Sequence, residues 1–183
     1  VISRVLGDAG SPDVETQAVM LAYGLFEEFN EDSKEEARNA ATHFEETGDE
    51  GREDLTGDFI FTIDPPDARD FDDAINITFD KETNEWELGV HIADVASFVS
   101  QDSALDKGAI ERGNSVYLPR RVIPMLPEVL SNGVCSLQEG VRRWAKSVFI
   151  RFDNKGRVLG NRLQNTVICS AKRLTYLEAQ GLI

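Results

Sequence analysis

The stretch Thr62-Ile63-Asp64-Pro65-Pro66-Asp67-Ala68-Arg69-Asp70-Phe71-Asp72-Asp73-Ala74-Ile75 limits what this chain can become more than any other. Five carboxylates (Asp64, Asp67, Asp70, Asp72 and Asp73) fall within ten residues, and apolar, strand-like sequence leads in and out. Crowded carboxylates repel one another and resist desolvation, so a packed core does not keep them without a counter-ion. An all-oxygen cluster suits a hard divalent cation such as Mg²⁺, for which Mn²⁺ can substitute. Successive strand residues point to opposite faces, so Asp72 and Asp73 cannot both reach one site from a regular strand. The cluster and its two prolines therefore imply an irregular loop at a strand edge. Such a loop can hold two cations roughly 3.5–4 Å apart, one activating water and one stabilising the leaving 3′ oxygen of a phosphodiester. A solvated acidic turn and a calcium loop are the competing readings. Against the calcium loop, the spacing lacks the central glycine and terminal bidentate Glu of an EF-hand.

The flanking sequence predicts an α+β fold with a mixed, largely antiparallel sheet and flanking helices. Ser11-Pro12 is a helix start, and Val14, Ala18, Leu21, Ala22, Leu25 and Phe29 then recur at helical spacing. A second helix is expected from Ser33, capped reciprocally with Glu36, and its thin stripe of Ala37, Ala40, Ala41 and Phe44 places it on the surface. Residues 1–54 read as a helical connector, opened by a strand end at Val1–Leu6, and residues 55–183 as the domain that carries the cluster. Strands are expected at 58–63, 74–79 and 86–93, the last two forming a hairpin, and at 145–152 and 157–170 around the turn at 153–156. Helices are expected at 103–112 and 174–179, with residues 117–127 a proline-bearing extended loop. His91 shares its strand with Leu88, Val90 and Ile92 on the opposite face, which favours a structural histidine over a general base.

A net charge of −14 argues at first against a polyanion partner. The average hides a segregation, however: 27–54 holds twelve Asp/Glu against three Lys/Arg, and 112–173 holds twelve Lys/Arg against three Asp/Glu. The downstream part can therefore face a nucleic acid, although two solvated surfaces of opposite sign account for the same numbers. No apolar run is long enough for a membrane span, and no secretory signal opens the chain. Two distant cysteines, Cys135 and Cys169, read as reduced thiols and suit a cytoplasmic protein.

Ile63-Asp64-Pro65 through Asp70-Phe71-Asp72-Asp73-Ala74 resembles the signature of the ribonuclease II / ribonuclease R family, whose catalytic unit is the RNB domain. The likeness continues through His91-Ile92-Ala93-Asp94-Val95, Ser115-Val116-Tyr117-Leu118-Pro119, Ile123-Pro124-Met125-Leu126-Pro127, Leu130-Ser131-Asn132-Gly133-Val134-Cys135-Ser136-Leu137 and Lys172-Arg173-Leu174-Thr175-Tyr176. The form is closer to the ribonuclease R branch.

The resemblance implies a processive, metal-dependent 3′-to-5′ exoribonuclease that takes the 3′ end of single-stranded RNA and releases nucleoside 5′-monophosphates. By the same resemblance, Asp64, Asp70 and Asp73 are mainly metal ligands, Asp72 is the carboxylate whose loss abolishes cleavage, and all four hold Mg²⁺. Asp67 lies between family positions. Tyr117 falls on the tyrosine beside the 3′-terminal nucleotide, while Arg112, Arg120 and Arg121 are phosphate contacts by charge and location alone. Arg142 stands where the family carries an acidic residue, so a local salt bridge is expected to be lost. The family's catalytic domain is nearly twice as long and is flanked by OB-type RNA-binding domains. The chain is thus expected to be the front portion of that domain, weakly active or inactive alone and prone to self-association. A non-catalytic RNA-binding or scaffold relative is the alternative.

Overall fold

The computed structural model describes residues 4–119 and 121–183. The strand end expected at Val1–Leu6 falls partly outside them, and residues 4–7 form no regular element. Among the described residues, no helix is long and apolar enough to cross a membrane.

Helix α1 runs Pro12–Ala22, shorter than its apolar spacing predicts. Gly24 adopts φ +65°, and Leu25 N donates to Met20 O (2.8 Å) while Gly24 N donates to Leu21 O (3.3 Å). This is a Schellman termination, and it leaves Leu25 and Phe29 in an extended segment. Helix α2 runs Glu31–Glu46 and differs from expectation twice. Asn30, not Ser33, is its cap, accepting from Ser33 N at 2.7 Å. Glu36 instead reaches across the chain to accept from Ala104 N (3.1 Å) and Leu105 N (2.9 Å), capping the next helix. The stripe expected at the surface is also core: Ala37, Ala41 and Phe44 are buried, with the Phe44 ring 4.9 Å from Trp144, edge-on, and 5.6 Å from Phe98. Small side chains here give close approach, which spacing alone does not reveal.

The alternating segments form strands β1 (Glu53–Asp64), β2 (Asp73–Asp80), β3 (Glu85–Ala93), β6 (Arg142–Phe152) and β7 (Val158–Thr175). They close into a barrel in the order β1-β2-β3-β6-β7, antiparallel throughout except where β1 and β7 run parallel. Closure removes the open edges of a sheet. Helix α3 (Ala104–Arg112) begins at Ser103 and stops at Gly113, and α4 (Tyr176–Gln180) carries a capping box between Thr175 and Glu178. Part of the loop expected at 117–127 is a small hairpin, β4 (Val116–Leu118) with β5 (Arg121–Ile123).

Ile60, Leu130, Leu137, Val167 and Ile168 are fully buried and define the core. Inside the barrel His91 is buried as well. Its Nε2–H faces Asn76 Oδ1 (3.1 Å), so Nδ1 accepts from the Ser147 hydroxyl (2.7 Å). Burial pushes its pKa down to about 4, which keeps the ring neutral and supports a structural role. Gly89 is required beside it, since a Cβ there would lie 2.0 Å from Asn76 Oδ1. The salt bridge expected to be lost at Arg142 is replaced by a long-range one. Asp49, 93 residues away, takes both Arg142 Nε (2.6 Å) and Nη2, and also accepts Trp144 Nε1–H (2.8 Å).

Candidate active site

The barrel register brings the acidic loop to one rim. Asp64 ends β1 opposite Thr175 of β7, and Asp73 opens β2 opposite Ile92 of β3. Strands β1 and β2 pair only at Phe61↔Ile75, so their ends splay and residues 65–72 arch over the gap. The arch is fixed at both feet. Arg173 Nη2 donates to Pro65 O (2.9 Å) and Pro66 O (2.8 Å), and its guanidinium lies 4.9 Å over the Phe71 ring. At the other foot Phe71 is buried, Leu137 N donates to Phe71 O (2.9 Å), and Ser136 Oγ bridges Arg69 O (2.9 Å) and Phe71 N (3.1 Å). The irregular loop expected from adjacent Asp72 and Asp73 is therefore present, held by the segment between β3 and β6.

A cleft of about 770 Å³ opens between this loop and the β4–β5 hairpin, lined by Asp64, Asp67, Asp70 and Asp72 on one wall and by Tyr117, Arg121, Ser131 and Asn132 among the residues of the other. The Tyr117 hydroxyl donates to Asp70 Oδ2 at 2.6 Å, and that bond pushes its pKa up to about 12. Burial, then repulsion from Asp70, Asp73 and Asp64, raises the pKa of Asp72. Burial raises that of Asp64, with Thr62 and Arg173 opposing and Asp73 and Asp70 adding to it. The four aspartates expected to act together thus share one electrostatic environment.

Asp64 Oδ2 and Ser131 Oγ are buried without a well-aligned hydrogen-bond partner; Thr62 Oγ1, two residues from Asp64 on β1, is near enough to hold the Asp64 pKa down but makes no well-aligned bond either. Buried polar atoms are ordinarily satisfied, so orphans gathered at a cleft mark a place built for something else. The donor chemistry, four carboxylates of which Asp64 has an oxygen with no well-aligned partner, fits a hard divalent cation. Among the described residues, however, no three acidic, histidine or cysteine side chains converge tightly enough to hold a metal ion. The carboxylates are gathered but not closed.

The expected phosphate contacts separate. Arg112 is not at the cleft: its guanidinium donates to the carbonyls of Phe26 (2.7 Å), Glu28 (2.7 Å) and Pro124 (3.2 Å) and stacks 3.9 Å over Phe29, fastening the connector. Arg121 borders the cleft but pairs with Glu27 at 3.2 Å. Arg120 lies outside the described residues. Asp67, set aside on sequence, lines the cleft with the others. Sequence reasoning missed the anchoring role of Arg173, although its position in Lys172-Arg173-Leu174-Thr175-Tyr176 was the available signal.

The RNB domain family matches residues 52–183. The chain belongs to that family. Its RNB portion begins at Arg52, one residue before β1, so the acidic arch and the barrel rim are both inside it. Ribonuclease R of Acidithiobacillus ferrooxidans is 41% identical over 182 residues, and that of Thermotoga maritima 44% over 178 residues. These alignments take in 100% and 96% of this chain but only 41% and 25% of the relatives' own lengths. Mycoplasma genitalium RNase R in complex with ribose-methylated single-stranded RNA superposes with a TM-score of 0.89 at 35% identity, covering 98% of this chain and 28% of that one. Its complex with double-stranded RNA superposes equally well, with a TM-score of 0.89. Yeast Ssd1, a pseudonuclease, shares the fold with a TM-score of 0.77 at 20% identity.

Proposed function

We propose that this RNB chain serves metal-dependent, processive 3′-to-5′ hydrolysis of single-stranded RNA to nucleoside 5′-monophosphates. The carrying observation is that Asp64, Asp70 and Asp72 line one cleft at the barrel rim, with Asp73 close enough to repel Asp64 and Asp72 and with Tyr117 across the cleft. Asp64, Asp70 and Asp73 are the proposed ligands of Mg²⁺ or Mn²⁺. A bound divalent ion supplies Lewis-acid chemistry at a scissile phosphate. Asp72, which lines the cleft between Asp70 and Asp73 in sequence, is the carboxylate proposed to be indispensable for cleavage. Tyr117 offers an exposed ring for sequence-tolerant stacking of the terminal base, while its hydroxyl steadies Asp70. The RNA-bound Mycoplasma relatives support the choice of substrate. A cytoplasmic setting fits the free thiols of Cys135 and Cys169.

The test follows shortening of a 5′-labelled single-stranded RNA, and release of nucleoside 5′-monophosphate from a uniformly labelled one, in Mg²⁺ or Mn²⁺, with and without chelator. Metal-dependent release, weak from this chain alone, that Asp72→Asn abolishes is the expected result. Equal release by that variant removes Asp72 from the chemistry. The second reading, an RNA-binding relative without turnover, draws on the absence of a closed metal cluster among the described residues. RNA binding with no nucleotide release in Mn²⁺ would favour it.

A further inference from the structure

An RNA strand approaching this cleft meets a wall of carboxylates, so fixed cations must offset the repulsion of its phosphates. The cations available prove few. Arg112 spends its guanidinium on three carbonyls, Arg173 lies on Pro65 and Pro66, and Arg121 pairs with Glu27. Among the described residues lining the cleft, that leaves Arg69. It stands between Asp67 and Asp70 in sequence, where an ion pair is the ordinary outcome, yet no described carboxylate lies within salt-bridge distance of its guanidinium. The nearest acid in sequence, Asp70, is taken by Tyr117 instead.

The backbone under Arg69 is held firmly. Ser136 Oγ donates to Arg69 O (2.9 Å) and accepts Phe71 N–H (3.1 Å), Phe71 is buried, and Ala68 N closes a turn onto Pro65 O (3.1 Å). Arg69, exposed and anchored at its backbone, thus lines the cleft. Its planar fork matches two oxygens of one phosphate, which the point charge of a lysine does not.

We infer that Arg69 is a phosphate-binding residue of this cleft, receiving a backbone phosphate of single-stranded RNA next to the aspartates. The inference rests on the RNA-hydrolase reading above. A purely local role, damping repulsion among the aspartates, is the alternative it must beat.

The experiment measures binding of a fluorescent single-stranded oligoadenylate to the 183-residue chain in Ca²⁺ across a salt series, for the wild type, Arg69→Gln, Arg69→Lys and a control, Arg157→Gln. Arg157 is an exposed cation paired with Asp153 in the β6–β7 turn, away from the cleft. Arg69→Gln is expected to bind roughly tenfold more weakly at low salt. It should also lower the slope of log affinity against log salt by about 0.7, the share of one single-strand phosphate. Arg69→Lys should keep most of the slope but lose affinity, and Arg157→Gln should match the wild type. Thermal melts of all four confirm folding. Equal affinity and slope in Arg69→Gln, or an equal loss in Arg157→Gln, overturns the inference while leaving the hydrolase reading intact. No RNA binding by the wild type overturns both.

Discussion

Asp72 stands exposed at the rim, yet partial desolvation within the loop and three neighbouring carboxylates favour its protonated form, at a cost to the fold at neutral pH. A raised carboxylate pKa means destabilisation at neutral pH that is relieved as pH falls through the folded value. Asp72→Asn is therefore expected to abolish nucleotide release yet make the chain slightly more stable in urea, by less than about 1 kcal/mol after solvent screening. A destabilised variant would contradict this. His91 works in the opposite direction. Its folded pKa, about 4, lies below the ordinary 6.5, so the unfolded chain takes up a proton that the folded chain refuses. The stability is complete above pH 6.5 and is lost toward pH 4, by about 3 kcal/mol in all. The difference between wild type and His91→Gln, measured by urea unfolding at several pH values, isolates that slope, and parallel curves would disprove it. Both residues were legible early, because one sits in a dense local motif and the other in a plain strand alternation.

At the level of elements, legibility followed sequence distance. Strand and helix positions came through because periodicity is local, and the hairpin β2–β3 followed from its turn. The fastenings between elements did not. Glu36 capping α3 spans 68 residues, Asp49–Arg142 spans 93, and Arg173 on Pro65 spans 108. Nothing within either partner's neighbourhood signals such pairs. The capping box expected at Ser33 was a plausible local pattern that lost to this tertiary use of the same glutamate. Arg112 shows the same effect, a cation in a basic segment that folding spends on connector carbonyls. Glu36→Ala should accordingly loosen α3 rather than α2 and cost roughly 1 kcal/mol. Faster amide exchange at Ala104 and Leu105, with α2 unchanged, is the expected readout; fraying of α2 instead would restore the local reading.

Over the whole molecule, barrel closure was invisible in sequence, because it depends on β1 meeting β7 across more than a hundred residues. Ala74, Asn76, Gly89 and His91 point inward, while the cross-strand row Phe79, Trp86, Phe152 and Val158 and the row Ile77, Leu88 and Ile150 point outward. Ile77 is 57% exposed and Leu163 74%, part of an outer face that association would cover. Sedimentation velocity is expected to show concentration-dependent association that Ile77→Glu weakens; a single monomer at every concentration would refute it. The acidic arch at the rim is the proposed metal site. Titration with Mn²⁺, followed by loss of its free EPR signal, tests this without requiring turnover. Saturable binding that disappears when Asp64, Asp70, Asp72 and Asp73 are changed to Asn is the predicted result, and undiminished binding by that variant, or none by the wild type, would contradict it.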